Sequence, residues 1–158
     1  MWQSEVRLDI NAPVEQVYTR LKDFTRHADF ADGLVKIEQI TNGAIRVGTR
    51  FRAEERVPSK YTSLAEITAL DEPRLIAWKA WVERTMRTEW EFRLSPNGSG
   101  THLVQISRWQ AASPIGFLML NLHRKRNVPR ENQRTLDRIK SVLEAEAIWT
   151  PTLLQLQK

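Results

Sequence analysis

Residues 113–147 read SPIGFLMLNLHRKRNVPRENQRTLDRIKSVLEAEA, and the reading of this stretch decides the fold. It follows a long series of strand-like segments and carries the one strong helical signal large enough to cover a sheet. Leu136, Ile139 and Leu143 recur at three- and four-residue steps, the spacing that puts side chains on one face of a helix. Pro129 stands inside the run, where a missing N–H and a ring clash with the preceding turn predict a break near Asn127-Val128-Pro129. A helix laid across a curved antiparallel sheet would close a cavity between the two.

Upstream, residues Glu5 to Ile10 alternate, with Val6, Leu8 and Ile10 on one side, as a half-buried strand does. Pro13 suits the first position of a helix. Val14, Val17, Tyr18 and Leu21 then follow at helical spacing. Thr25 to Ala31 form a second short helix or turn, with Phe24, His27 and Phe30 as packing or lining residues, closed by Asp32-Gly33. From Leu34 onward, strand-like runs alternate with turn signals: 34–40, 47–57 (ended by Pro58-Ser59), 61–70, 75–82, 86–94 and 101–111. Short connections favour antiparallel pairing, because parallel pairing needs longer crossovers. The expectation is an α+β helix-grip fold: a curved antiparallel sheet of about seven strands wrapped on a long C-terminal helix, with two short helices after the first strand. One domain over 1–158 accommodates all of it.

The totals narrow the class. The chain has 158 residues, 41% hydrophobic and 27% charged, as an ordinary globular protein does. It has no cysteine, so disulfide and thiolate chemistry are excluded and a reducing compartment suits it. The N-terminus alternates like a strand instead of showing a leader's apolar run. The apolar stretch 115–120 is far short of the about 20 residues a transmembrane helix needs. A cytoplasmic location with no transmembrane segment is expected. The net charge of +5 is concentrated between His123 and Lys140, where seven cations (Arg124, Lys125, Arg126, Arg130, Arg134, Arg138, Lys140) face two anions (Glu131, Asp137). Such a stripe can attract nucleic acid or anionic lipid, but a solvated helix face is the simpler reading, and no nucleic-acid partner is expected.

Several short segments together resemble a known family. Residues 9–18, DINAPVEQVY, are similar to its opening turn from strand into helix, and Leu21-Lys22-Asp23-Phe24 to its next landmark, with His27 where the family often carries His or Trp. Gly48-Thr49-Arg50-Phe51-Arg52 resembles its third strand, and residues 67–78, ITALDEPRLIAW, its following hairpin. Gly100-Thr101-His102-Leu103 and Ser113-Pro114-Ile115-Gly116 resemble the last strand and the helix entry. The resemblance, from about Val6 to Ala147, is to the START-like SRPBCC superfamily, in its polyketide cyclase/dehydrase and lipid transport branch. It implies a deep apolar cavity holding a lipid, sterol, hormone, polyketide or aromatic compound. It implies no universal catalytic motif, since one fold hosts many activities.

The candidate chemistry is weighted toward aromatics. Met86, Thr88, Trp90, Phe92 and Leu94 face one way along a strand while Arg87, Glu89, Glu91 and Arg93 face the other. Trp78 and Phe51 are inward by the same parity, whereas Trp81 falls outside or at the rim. In the last strand, the family comparison puts Leu103, Gln105, Ser107 and Trp109 inward; Val104 and Ile106 argue for the opposite face. The candidate ligand-binding set is therefore His27, Phe51, Trp78, Met86, Thr88, Trp90, Phe92, Gln105, Ser107 and Trp109. Glu55 shares Phe51's parity and could serve as an acid or base, but a carboxylate at a strand's end more often meets water. His27, His102 and His123 have no metal-ligand spacing, and no phosphate loop or nucleophile elbow is present, so no metal, cofactor or catalytic residue is assigned. The expected function is binding of a hydrophobic small molecule. The alternatives are a cyclase or dehydratase on the same scaffold, or an RNA- or membrane-facing protein using the basic helix.

Overall fold

This computed structural model describes residues 1–56 and 59–156. Seven strands form one sheet: β1 (Trp2–Ile10), β2 (Leu34–Gln39), β3 (Arg50–Arg56), β4 (Lys60–Asp71), β5 (Leu75–Val82), β6 (Met86–Asn97) and β7 (Gly100–Ala111). Their order is β1-β7-β6-β5-β4-β3-β2, and every neighbouring pair is antiparallel. β2 to β7 meander, while β1 returns to pair with β7 at the far edge. The chain crosses from one edge to the other through α1 (Val14–Lys22) and a 3-10 helix (Phe24–Asp29). The α+β helix-grip architecture expected from the sequence is the one observed.

Boundaries differ where turn chemistry intervenes. β3 starts at Arg50 and not at Val47, because Val47-Gly48 form a turn in which Gly48 takes a positive φ of 89°. The expected end of that strand at Val57 and its break at Pro58 lie outside the described residues. The 3-10 helix explains Phe24, His27 and Phe30, since side chains three apart eclipse in that conformation and all three are buried. A bulge between Ile67 and Ala69 bends the sheet where β4 meets β5. The parity of β7 is settled by register: Leu103, Gln105, Ser107 and Trp109 lie opposite Leu94, Phe92, Trp90 and Thr88 and therefore share their inner face.

After β7, Ser113 caps α2 (Pro114–Met119) by accepting a 3.1 Å hydrogen bond from the Gly116 amide, with Pro114 in the first turn. Gly116 is seated against the β5–β6 hairpin so closely that a Cβ there would lie 1.8 Å from the Thr85 carbonyl oxygen. A wide π-turn (Leu120–Arg124) leads into α3 (Lys125–Leu156). The expected break at Asn127–Pro129 is therefore corrected: α3 runs through Pro129, and the irregular turn stands just before it. Pro129 is the fifth residue of α3, so the carbonyl it fails to serve, that of Lys125, is the first of the helix. Asn121 and Asn127 donate side-chain hydrogen bonds to the carbonyls of Phe117 and His123 around the widened turn.

The buried stripe of α3 changes chemistry along its length. Val128, Glu131, Asn132, Thr135, Leu136, Ile139 and Leu143 are all buried at helical spacing, with the polar members gathered in the first half. The second half packs into the core with Ile10, Phe51, Ile76 and Leu103. Lys140 donates to the Asp9 carbonyl (2.8 Å) and Glu144 accepts from the Asn11 amide (2.9 Å), which pins α3 to the end of β1. Asp32 receives Arg134 and Arg138 and donates its amide to Thr135 Oγ1, which pins the helix to the segment before β2. Replacing Gly116 by Ala is expected to destabilise the protein by about 3 kcal/mol, as overpacking against backbone does. The measurement is the urea midpoint, which should fall with an unchanged slope.

Candidate functional site

Between the inner sheet face and the first half of α3 lies a pocket of about 140 Å³. One end is aromatic. Trp78 and Trp90, paired across β5 and β6, stack with centroids 5.9 Å apart and planes 4° from parallel. Trp109 meets Trp90 edge-on at 5.6 Å, and Phe24 meets Trp78 edge-on at 5.1 Å. Phe92 and Phe30 complete this wall. His27 is held within it by a 2.7 Å hydrogen bond to the Leu21 carbonyl. A carbonyl can only accept, so Nε2 carries the proton. Burial pushes the imidazole down from its ordinary 6.5 to about 4, which keeps it neutral at physiological pH.

The other end is polar. Glu55, inward on β3 as its parity with Phe51 requires, accepts hydrogen bonds from Ser63 (2.6 Å) and Tyr61 (2.8 Å). Burial, and then the neighbouring Glu55, push the Tyr61 phenol above its ordinary range. Arg124 makes two hydrogen bonds to Glu131, at 3.2 and 2.8 Å, and its guanidinium lies 4.9 Å above the Trp109 ring. Both members of this pair are buried, and each lines the pocket. A bidentate pair stacked on an indole is rigid as well as satisfied. Gln105, opposite Phe92, lines the pocket with its amide Oε1 buried and without a hydrogen-bond partner among the described residues. Among the described residues, that oxygen is the one fully buried side-chain polar atom of the wall without a partner, and a ligand that reached it could be oriented by it.

Of the residues singled out in the sequence, His27, Trp78, Trp90, Phe92, Gln105 and Trp109 line the pocket. Four others share the inner face but stand outside the pocket wall. Phe51 is buried against Phe24, 5.0 Å away. Met86 packs with Trp109, Leu120 and Val128. Thr88 accepts the Trp90 indole N–H at 2.8 Å, and Ser107 accepts the Trp109 indole N–H (3.0 Å) and the Asn132 side-chain amide N–H (3.1 Å), so both hydroxyls hold the aromatic wall in place. Parity selects a face, and the sheet is longer than the pocket. Trp81 pairs with Arg87, one step out of phase with the inward Ala80–Thr88 pair, and so lies on the outer face.

Two readings of charged residues are corrected. Glu55 does not end its strand in water but is half-buried in the pocket wall. Arg124 and Glu131 are not part of a solvated helix face but a buried pair. Their spacing of seven, two helical turns on the side of Val128 and Thr135, was the available signal. Among the described residues, no group of three or more His, Asp or Glu is placed to hold a metal ion.

The sequence profile of the family described as polyketide cyclase / dehydrase and lipid transport matches residues 1–144, and the chain belongs to that family. No curated protein matches it. Solved structures agree on the fold. A crystal structure from Thermus thermophilus superposes with a TM-score of 0.77 at 20% identity, covering 92% of this chain and 99% of the other. A START superfamily protein from Mycobacterium smegmatis gives 0.68 at 14% identity, over 93% and 97%. The Zhui aromatase/cyclase from a Streptomyces species gives 0.69 at 20% identity, over 91% and 97%.

Removing one partner of a buried ion pair strands the other. Arg124→Leu is therefore expected to cost about 3 kcal/mol, and the double variant Arg124→Leu/Glu131→Leu to recover most of it, read by chemical denaturation. The His27 shift gives a second expectation. Between pH 6.5 and about 4 the unfolded chain binds a proton at this position that the folded chain excludes. Stability therefore falls as pH drops through that window, by on the order of 3 kcal/mol in all. A His27→Phe variant, which removes the titrating group, should show a shallower decline in pH-dependent thermal melts.

Proposed function

We propose that the protein binds a small aromatic or otherwise apolar molecule, one ring or one ring-sized portion at a time, between the sheet and α3. The observation that carries this reading is a pocket walled by Trp78, Trp90, Trp109 and Phe92 that also includes Gln105, whose buried amide oxygen has no partner among the described residues. Aromatic faces supply apolar contact, and one placed amide supplies orientation, the usual division of labour in ligand pockets. Size narrows the class. A cavity of about 150 Å³ holds benzene, whereas drug-sized ligands occupy about 300–1,000 Å³. A pocket of about 140 Å³ suits a single ring. A whole lipid or a polycyclic polyketide exceeds this volume and would either project from the pocket or displace α3 or the 3-10 helix.

Turnover on the same scaffold is the second reading, favoured by Glu55 and by the Arg124–Glu131 pair at the polar end. It ranks behind binding because each of these groups is already engaged. Both Glu55 oxygens accept hydroxyl hydrogen bonds, and the Arg124–Glu131 pair is closed on itself. A substrate proton would have to compete with those partners.

The test is calorimetric titration with toluene, p-cresol and naphthalene, together with tryptophan fluorescence. The expected result is binding of the single-ring compounds, with affinity at least about tenfold lower in Trp90→Ala, the scale of losing one well-packed aromatic contact. Absence of heat and of quenching with all three compounds would contradict the proposal.

A further inference from the structure

Four of the eight large apolar side chains exposed among the described residues fall within eight consecutive positions: Ile115 (67% exposed), Phe117 (64%), Leu118 (57%) and Leu122 (71%). They occupy the outer side of α2 and the π-turn. This is not a loosely packed segment with its apolar residues displaced. Gly116 locks α2 against Thr85, and Leu120, on the inner side of the same run, is buried with Met86, Trp109 and Val128. The helix is firmly seated and still presents its bulkiest apolar groups to solvent.

The charge within this segment has one sign. From Ser113 to Arg130 the chain contains no Asp or Glu and four cations. Arg124 is consumed by Glu131, which leaves Lys125, Arg126 and Arg130 exposed. Arg126 and Arg130 are neighbours at a four-residue step on α3, and the π-turn that carries Leu122 leads directly into that helix. An apolar wedge thus continues directly into a cationic stripe.

We propose that this surface, α2 with the π-turn and the start of α3, docks the protein onto an anionic lipid bilayer. Ile115, Phe117, Leu118 and Leu122 would enter the headgroup–acyl boundary while Lys125, Arg126 and Arg130 meet lipid phosphates. Apolar groups on one part of a helical surface and unpaired cations on the adjoining part are what such an interface requires. Among the described residues no helix is long and apolar enough to cross a membrane, so contact of this kind is peripheral. A second copy of the chain fits less well. Two-fold pairing of the patch would bring Lys125 and Arg126 of both copies around one small apolar contact, and like charges would oppose it. RNA would use the cations but leave the three exposed aliphatic groups unsatisfied. The inference does not depend on what occupies the pocket.

The experiment is vesicle flotation of the full chain with phosphatidylcholine vesicles and with equal mixtures of phosphatidylcholine and phosphatidylglycerol. The expected result is binding to the mixed vesicles that weakens as salt is raised, and at least about tenfold weaker binding to phosphatidylcholine alone. Phe117→Ser/Leu118→Ser and Arg126→Glu/Arg130→Glu should each reduce binding to the mixed vesicles by a similar factor, while Arg126→Lys/Arg130→Lys keeps it. All these side chains are exposed, so unchanged thermal midpoints confirm that the variants fold. Failure to float with the mixed vesicles would overturn the proposal, as would floating undiminished by Phe117→Ser/Leu118→Ser. Salt-sensitive binding to single-stranded RNA, or a dimer dissolved by Phe117→Ser/Leu118→Ser, would overturn it equally if the mixed vesicles are not bound.

Discussion

The inner face of the sheet is covered by three separate helical elements, and the space among them has to be filled by side chains. α3 lies along β1 at one edge, the 3-10 helix packs against β2 at the other, and α1 packs against β5, β6 and β7. Between them the central strands β5, β6 and β7 carry Trp78, Trp90, Phe92 and Trp109 on the inner face. Aromatic side chains are the largest available, each burying about 150–250 Å², and their rings stack at fixed angles instead of collapsing into a close-packed aliphatic core. The aromatic wall and the space beside it are two consequences of one geometric constraint.

Polar groups then hold the wall still. The Trp90 and Trp109 indole N–H groups end on the hydroxyls of Thr88 and Ser107, and Asn132 on α3 donates to the same Ser107. The sheet and the helix are thus bonded through one oxygen beneath the pocket. Arg124 covers the Trp109 face while its charge is taken up by Glu131 one helical segment away. These bonds satisfy buried donors that would otherwise be costly, and they fix the ring orientations. Gln105 is the exception in this network. A buried amide left with an unpartnered oxygen is a plain cost to the fold, and a ligand that bonds it would offset that cost.

Much of the architecture was legible in the sequence because strand parity and turn chemistry are local. Met86 to Leu94 alternate so regularly that β6 could be placed with its inner face assigned, and the neighbouring strands followed from turn spacing. Register between strands is not local. Val104 and Ile106 are as apolar as the inner residues of β7, and only the pairing of Gln105 with Phe92 decides the matter. The 3-10 helix was half visible, since Phe24, His27 and Phe30 recur at three, a period that helix and strand templates both miss. Pro129 marked an irregular helix correctly but placed the irregularity a few residues late. The charged half of the pocket was hidden by composition. Arg124 and Glu131 sit in a run of seven cations, where burial is the less common outcome, and only their common phase with Val128 and Thr135 sets them apart. Glu55 was legible by parity and set aside on the rarity of buried glutamate.

The account stands on a ring-sized ligand lying against the central tryptophans beneath α3. Intermolecular NMR contacts between bound p-cresol and the indole protons of the six tryptophans test this most directly. The account predicts contacts to Trp78, Trp90 and Trp109 and none to Trp81, which faces the other side of the sheet. Contacts confined to Trp81, or a ligand that contacts no indole at all, would contradict it.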